Sequence, residues 1–372
     1  MVLTVLVTDM RFGSRVRYLQ AVHGRDEVVA TGLAHSGLAF FRLILLASQQ
    51  LQGNQMITTL FQGKTLVEIL STIDTGLLRM MFASDGDPNE EDVETYKQTG
   101  QVSEEVRAEA SEETNRFGKK GFLDFDGDFS AHVEGEDCKI NLNMFSTHAT
   151  GQAIQDMAAA QVVYRLLTGT EEDEAWLRDR NIDAWDLIGN IVDWVDADGS
   201  VSTGKGGYED DLYNRLSSPY LSKNAPFDTP EELRLVAGWQ DEVYDRYADK
   251  LTIYGSQKIN INCADRAVIA AMIQANSPRL LTQTDLERIF EELDNYRAAT
   301  SFQRPADVTA WFKNQLPDLA ATFTNGISTR TKVYTITSTG TVGDTAVTLT
   351  AVLNYDTSTG SKDGKFMYWR IQ

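Results

Sequence analysis

Cysteine and histidine are scarce in this chain. Its 372 residues hold two cysteines, Cys138 and Cys263, and four histidines, His23, His35, His132 and His148. Two cysteines are too few for a disulfide framework; they read as two buried thiols, with one bridge open to them if the compartment is oxidising. The histidines are scattered, and neither a G-x-S-x-G elbow nor an H-E-x-x-H helix occurs, so the expectation is a protein that is not an enzyme. Positive charge is short as well: 34 Lys and Arg face 54 Asp and Glu, a net charge of −20. Such a chain repels nucleic acid and anionic lipid at long range and favours cations or basic protein surfaces. No run reaches the roughly 18 continuous apolar residues that would span a bilayer. The opening "MVLTVLV" nevertheless reads as the stump of an apolar helix, either part of a longer membrane-entering helix or a short buried turn.

Proline is also absent up to Leu51, and there the pattern is helical. Val29, Leu33, Ser36, Phe40, Leu43, Ala47 and Leu51 recur at three and four residues. Small residues among them, including Ala30, Ala34 and Gly37, would let another helix approach closely. Ser84–Lys119 has almost no apolar periodicity and reads as a mobile acidic surface insertion. Beyond it, "GFLDFDGDFSAHVEGEDCKINLN" alternates apolar and polar residues and turns at Glu134–Gly135, as a strand pair would. The spacing Asp124, Asp126, Asp128 suggests an EF-hand but fails, because Phe129 and Gly135 stand where the loop needs Gly and Glu.

From residue 143 to 325 the reading is helical again. "DTPEELRLV" places Thr229 as N-cap with Glu232 in a capping box, and "TDLERIFEEL" repeats the device with Thr284 and Glu287. "KINLN" at Lys139–Asn143 recurs as "KININ" at Lys258–Asn262, with Asn143 and Asn262 as natural N-caps. After Ile327 the period changes to that of strands, with a turn at Gly343–Asp344 and a last strand in "GKFMYWRIQ". Three sections follow: 1–142 with the insertion at 84–119, an inserted helical domain at 143–325, and closing strands at 326–372.

The densest polar stretch is "DWVDADGSVSTGKGGYEDDLY", Asp193 to Tyr213, with six carboxylates around Lys205. "GSVSTGK" approaches a phosphate-binding loop, but Gly206 replaces the hydroxyl residue and the preceding spacing is helical, so nucleotide binding is rejected. A metal fits better. A helix ending near Val195 points its negative end at Asp196 and Asp198, where acids are unfavourable without a cation. Oxygen ligands on a glycine-rich loop suit calcium, with Asp196, Asp198, Ser200, Glu209, Asp210 and Asp211 as candidate ligands. Spacing alone leaves a solvated acidic loop equally open.

"IGNIVDWVDADGS", "GGYEDDLY", "APFDTPEELRLVAGW" and "KININCADRAVIAAM", in this order, resemble the K-type minor pseudopilins of bacterial type II secretion systems. "VYTITSTGTVGDTAVTLTAVLNYD" with "FMYWRIQ" resembles that family's closing strands, and "ATGLAHSGLAFFRLIL" the end of its N-terminal helix. The resemblance implies an α+β, pilin-like fold: a long N-terminal helix on an antiparallel sheet, with a large all-α domain inserted between strands. It further implies calcium in the insertion and a place in the periplasm, anchored before assembly in the inner membrane by an N-terminal segment that is truncated here. Its implied partners are minor pseudopilins of the I and J types, met through Ala30, Leu33, Ala34, Gly37 and Phe40 of the helix, then the pseudopilus and the secretion machinery. Secreted proteins are a further candidate, and the implied role is capping the pseudopilus tip and initiating its assembly for export across the outer membrane. A second reading comes from the same residues. "KININCADRAVIAAM" and "FDTPEELRLVAGW" also resemble halves of the helix-hairpin-helix modules of competence-type DNA receptors, but only Gly238 stands at such a turn, and the net charge opposes DNA.

Overall fold

The structure, a computed structural model, describes residues 2–51, 61–78, 126–148, 152–203, 207–279, 281–319, 321–356 and 364–372. The acidic section Ser84–Lys119, Asp124 and the loop residue Lys205 lie outside the described residues. The chain divides into two compact units. One comprises Met1–Ile57, Thr65–Glu134 and Tyr334–Gln372; the other comprises Thr58–Lys64 and Gly135–Val333. The strands are β1 Thr72–Asp74, β2 Asp128–Gly135, β3 Ile140–Asn141, β4 Leu251–Thr252, β5 Ile259–Asn260, β6 Ile327–Ser328, β7 Val333–Val342, β8 Thr345–Asn354 and β9 Lys365–Ile371.

The first unit has the α+β architecture expected from the sequence. Helix α1, Val2–Leu51, packs on a five-stranded sheet of order β1-β2-β7-β8-β9. Strand β1 is antiparallel to β2, and β8 to β9. Alternation along β2 and β8 buries Phe129, Ala131, Val133, Val347, Leu349, Ala351 and Leu353 in one core with α1. By length and composition α1 could cross a membrane, although its apolar half is partly buried in this core.

The buried stripe of α1 is not the one that the spacing of large apolar residues suggests. Ala30, Leu33, Ala34, Leu38, Phe41, Ile44 and Leu45 face the core, while Leu43 is exposed. Backbone approach decides this. A Cβ on Gly340 of β7 would lie 2.0 Å from the carbonyl oxygen of Ala30 and 2.7 Å from the amide nitrogen of Ala34. One on Gly37 would lie 2.2 Å from Ser338 Oγ and 3.0 Å from Ala131 Cβ. The small-residue face is therefore filled by the chain's own sheet. Ala30, Leu33, Ala34 and Gly37 are not free for a partner helix, and Phe40 is half-buried against the same core.

The turn at Glu134–Gly135 does not close a hairpin. After it, Asp137 accepts from the backbone N–H groups of Ser256, Lys332 and Val333, and β3 pairs in parallel with β4 instead. Capturing those three donors holds the chain in the second unit.

That unit is built mainly of helices, with two short parallel strand pairs, β3 with β4 and β5 with β6. The echo of "KINLN" and "KININ" is a structural duplication. Asn143 takes the N–H of Phe227 on its side-chain oxygen and donates from its amide to the carbonyls of Phe227 and Ile253. Asn262 does the same with Phe302 and with the carbonyl of Thr329. Each Phe opens an F-x-x-P turn, Phe227–Pro230 and Phe302–Pro305. The two asparagines thus cross-link strand, turn and returning strand, and neither is an N-cap. Asn141 caps the short turn after β3, and Asp265 caps helix α4, Arg266–Asn276. Helix α4 packs on α2, Ala158–Thr168, which also meets α3, Ala184–Val195.

Two other caps move. Thr229 makes no capping bond, because Glu232 accepts instead from the N–H of Asp228 and from Lys223. Helix α5, Gln283–Ala299, starts two residues early, with Thr282 and Asp285 forming the capping box. The two cysteines are a disulfide, Cys138–Cys263, rather than thiols. It joins the residue just before the first echo to the residue just after the second.

Two outcomes follow from this packing. Gly340→Ala forces backbone apart between α1 and β7, and a loss of roughly 1–3 kcal/mol is expected in denaturant unfolding. Removing the bridge with Cys138→Ser and Cys263→Ser frees a loop of 125 residues and should cost about 2–5 kcal/mol, the same loss that reductant produces in the native chain.

Candidate metal centre

Helix α3 is amphipathic in the usual sense except at one point. Asp183 caps it by accepting from the N–H of Trp185, and its buried face carries Leu187, Ile188, Ile191, Val192, Trp194 and Val195. Asp193 sits inside this apolar face and is only 2% exposed. The helix ends at Asp196, whose N–H bonds the carbonyl of Val192 and whose side chain lies three residues beyond Asp193. Both carboxylates therefore sit on the negative end of the helix dipole, the least favourable place for an anion.

The chain then leaves through the glycine-rich loop and returns at Glu209, which precedes the short helix Asp210–Tyr213. Trp194, Tyr213 and Tyr220 pack ring against ring and hold the returning segment on α3. Glu209 is thereby buried beside Asp193 and Asp196. One oxygen from each of the three lies within 4.8 Å of the others, the one such cluster among the described residues.

Each carboxylate has one oxygen engaged and one without a partner. Asp193 Oδ1 accepts from the N–H of Ser202 at 2.7 Å. Asp196 Oδ2 lies 3.1 Å from His148 Nδ1. Glu209 Oε2 accepts from the hydroxyl of Ser222 at 3.2 Å. Asp193 Oδ2, Asp196 Oδ1 and Glu209 Oε1 are buried with no hydrogen-bond partner. An uncompensated buried carboxylate is costly, and three together are more so. Burial, followed by the neighbouring charges, pushes the Glu209 carboxyl up to about 8. Burial likewise pushes Asp193 up to about 6 and raises Asp196. Three carboxylates this close, each with one oxygen unpartnered, suit one hard cation with metal–oxygen bonds of about 2.3–2.6 Å.

Of the ligands expected from the sequence, Asp196 and Glu209 belong to this cluster and the others serve the loop. Asp198 accepts from the N–H of Ser200, and Ser200 pairs with Tyr208 as an isolated bridge. Asp210 accepts from the N–H and hydroxyl of Ser222, and exposed Asp211 accepts from the N–H of Tyr208. Asp193 is the residue that sequence reasoning missed. Its signal was available: an aspartate flanked by Ile191, Val192, Trp194 and Val195 has no reason to be buried unless something pairs with it. His148 is occupied on both ring nitrogens, by Asp196 and by the carbonyl of Gln152, so it positions a ligand rather than adding one.

A family model described as "Type II secretion system (T2SS), protein K" matches residues 138–256, the span that contains the three carboxylates. Over that span the chain is similar to the type II secretion protein K family. A curated relative, "Type II secretion system protein K" of Klebsiella pneumoniae, is 27% identical over 200 residues, covering 53% of this chain and 56% of that protein. The chain thus spans about half the length of the curated relative it matches. A solved chain described as "The Crystal Structure of the GspK-GspI-GspJ complex from enterotoxigenic Escherichia coli Type 2 Secretion System" is 17% identical. That alignment covers 66% of this chain and 80% of the solved one, with a TM-score of 0.49. Gly238, the one glycine of the helix-hairpin-helix resemblance, takes a positive φ and has Leu187 of α3 2.6 Å from where a Cβ would lie, so packing accounts for a glycine there.

A pH dependence follows for the cation-free protein. All three carboxyls sit above their ordinary values when folded, so the folded chain keeps protons that the unfolded chain releases. Their contribution to stability is complete below the ordinary carboxylate range and is lost as pH rises through about 6 and about 8. In chelator, the melting temperature should fall across this range, and Glu209→Gln should flatten the fall.

Proposed function

We propose that this chain is a non-enzymatic minor pseudopilin of a type II secretion system, and that calcium held by Asp193, Asp196 and Glu209 stabilises its helical unit. The observation that carries the calcium reading is the set of three buried oxygens without partners. An all-oxygen donor set without cysteine suits a hard cation, and ligand spacing suits calcium better than the smaller magnesium. Backbone carbonyls and water would complete the shell. The ion would supply the positive charge that lets all three carboxylates ionise at neutral pH.

The family match supports the secretion reading. The insertion supports a place at the pseudopilus tip: a shaft subunit repeats head to tail and needs a free face on each side, and a unit the size of Gly135–Val333 leaves little room for that. The partners are minor pseudopilins of the I and J types, and the chain resides in the periplasm, anchored in the inner membrane until assembly. Because the small-residue face of α1 is occupied, these partners meet α1 on its exposed side, which includes Val28 and Leu43.

Calcium titration should raise the melting temperature, with a gain of about 2.7 kcal/mol at a hundredfold excess over Kd. Asp193→Asn and Asp196→Asn should each abolish the gain, and Asp211→Asn should not. A melting curve indifferent to calcium and chelator would remove the calcium reading. For the partner reading, Leu43→Arg should weaken co-purification with the I and J pseudopilins while the calcium shift persists. Failure of the native chain to bind either one would overturn it.

A further inference from the structure

From Asp9 to Val28 no residue of α1 is buried: full burial begins at Ala30, and Arg11 to Gln20 are exposed apart from the half-buried Gly13. This segment differs in charge from the rest of the chain. Against a net charge of −20, residues 9–19 carry Arg11, Arg15 and Arg17 and one acid, Asp9. None of the three arginines makes an ion pair among the described residues, whereas Arg25 of the same helix is held by Asp26. Large apolar and aromatic side chains stand between them, with Met10 68%, Phe12 70% and Tyr18 68% exposed.

The placement of these residues around the helix distinguishes two kinds of surface. Arg11 and Arg15 are one turn apart and share a face, whereas Arg17 falls on the opposite side. Met10, Phe12, Val16, Tyr18 and Leu19 fill the remaining directions. A helix lying flat on a lipid surface would separate its basic and apolar faces. Basic and aromatic residues on every side, directly after an apolar stretch, instead form a belt around a helix that passes through an interface.

We infer that Arg11, Arg15 and Arg17, with Phe12 and Tyr18, form a headgroup belt that binds an anionic lipid surface. This rests on the membrane-anchored reading above and adds to it a lipid charge selectivity. Charge complementarity identifies the occupant: the rest of the chain is repelled by an anionic membrane, and these unpaired cations are what would overcome that repulsion locally. The arginines give selectivity for the headgroup, and the aromatic rings fix the depth.

The test is co-sedimentation of the 372-residue chain with vesicles of phosphatidylcholine alone or mixed with phosphatidylglycerol, at low and high salt. Binding should favour the anionic vesicles and weaken with salt. The triple variant Arg11→Gln, Arg15→Gln, Arg17→Gln should lose roughly a hundredfold of that binding, about fivefold per arginine. Its melting temperature should be unchanged, because the segment lies outside the core. Phe12→Ser with Tyr18→Ser should weaken binding to both compositions. Equal binding to neutral and anionic vesicles, or a triple variant that keeps its selectivity, would overturn the belt and leave membrane anchoring standing. No binding to either vesicle would overturn both. A triple variant that binds lipid normally but loses its pseudopilin partners would reassign the belt to a protein contact.

Discussion

Three carboxylates buried within reach of one ion cannot all stay charged unless a cation joins them, and the first half of the helical unit is organised around that constraint. Helix α3 ends where its dipole disfavours acids, yet it supplies two of them. The chain then makes an excursion from Asp196 to Glu209 and comes back to place a third beside them. Ser202, His148 and Ser222 each satisfy one oxygen and thereby aim the other inward. A loop that served only as a solvated connection would not bury three acids or leave one oxygen of each unpaired. The aromatic cluster of Trp194, Tyr213 and Tyr220 holds the return in place but leaves the repulsion unresolved.

The duplicated asparagine knots show what the site adds to the fold. In both halves of the second unit an N-x-N segment follows a strand, and its second asparagine binds an F-x-x-P turn and the strand that returns. The second half runs from α4 through α5 to Phe302 without an acidic excursion, and its frame closes all the same. The frame therefore closes without a cation, and the ion proposed above would act on the excursion inserted between α3 and Phe227. The Cys138–Cys263 bridge belongs to the frame, since it ties the two knots to each other.

Patterns of period two and changes of period were legible in the sequence: β7 and β8 turn at Gly343, and the helical section falls between strands. Features set by distant backbone were not. Spacing of large apolar residues selects the stripe through Val29, Phe40 and Leu43, but Gly340 brings β7 onto the backbone of Ala30 and Ala34 and rotates the buried face by about one residue. Asn143 and Asn262 look like N-caps locally because local bonding is what asparagine most often offers. Their real partners lie 84 and 110 residues away for the first and 40 and 67 for the second. At the carboxylate cluster, Asp196 and Glu209 stood out by charge density, whereas Asp193 was hidden by its apolar neighbours. Those neighbours are the reason it matters, because only a buried acid needs a partner so strongly.

Helix α1 has to satisfy two surroundings with one sequence. From Ala30 onward its small residues are matched to glycines on the sheet, an arrangement that specifies one register because no larger side chain fits at Gly37 or Gly340. From Asp9 to Val28 no described residue is buried, and the residues change from small and apolar to basic and aromatic. A 50-residue helix exposed over that length is marginal when left in water, since helical stability comes mostly from packing an apolar face. The uncovered half therefore needs a second environment, and the charge of its side chains restricts which one. An acidic protein surface and an anionic lipid surface both satisfy the arginines, but exposed apolar and aromatic side chains spread around the helix favour a medium that surrounds it over a partner that covers one face.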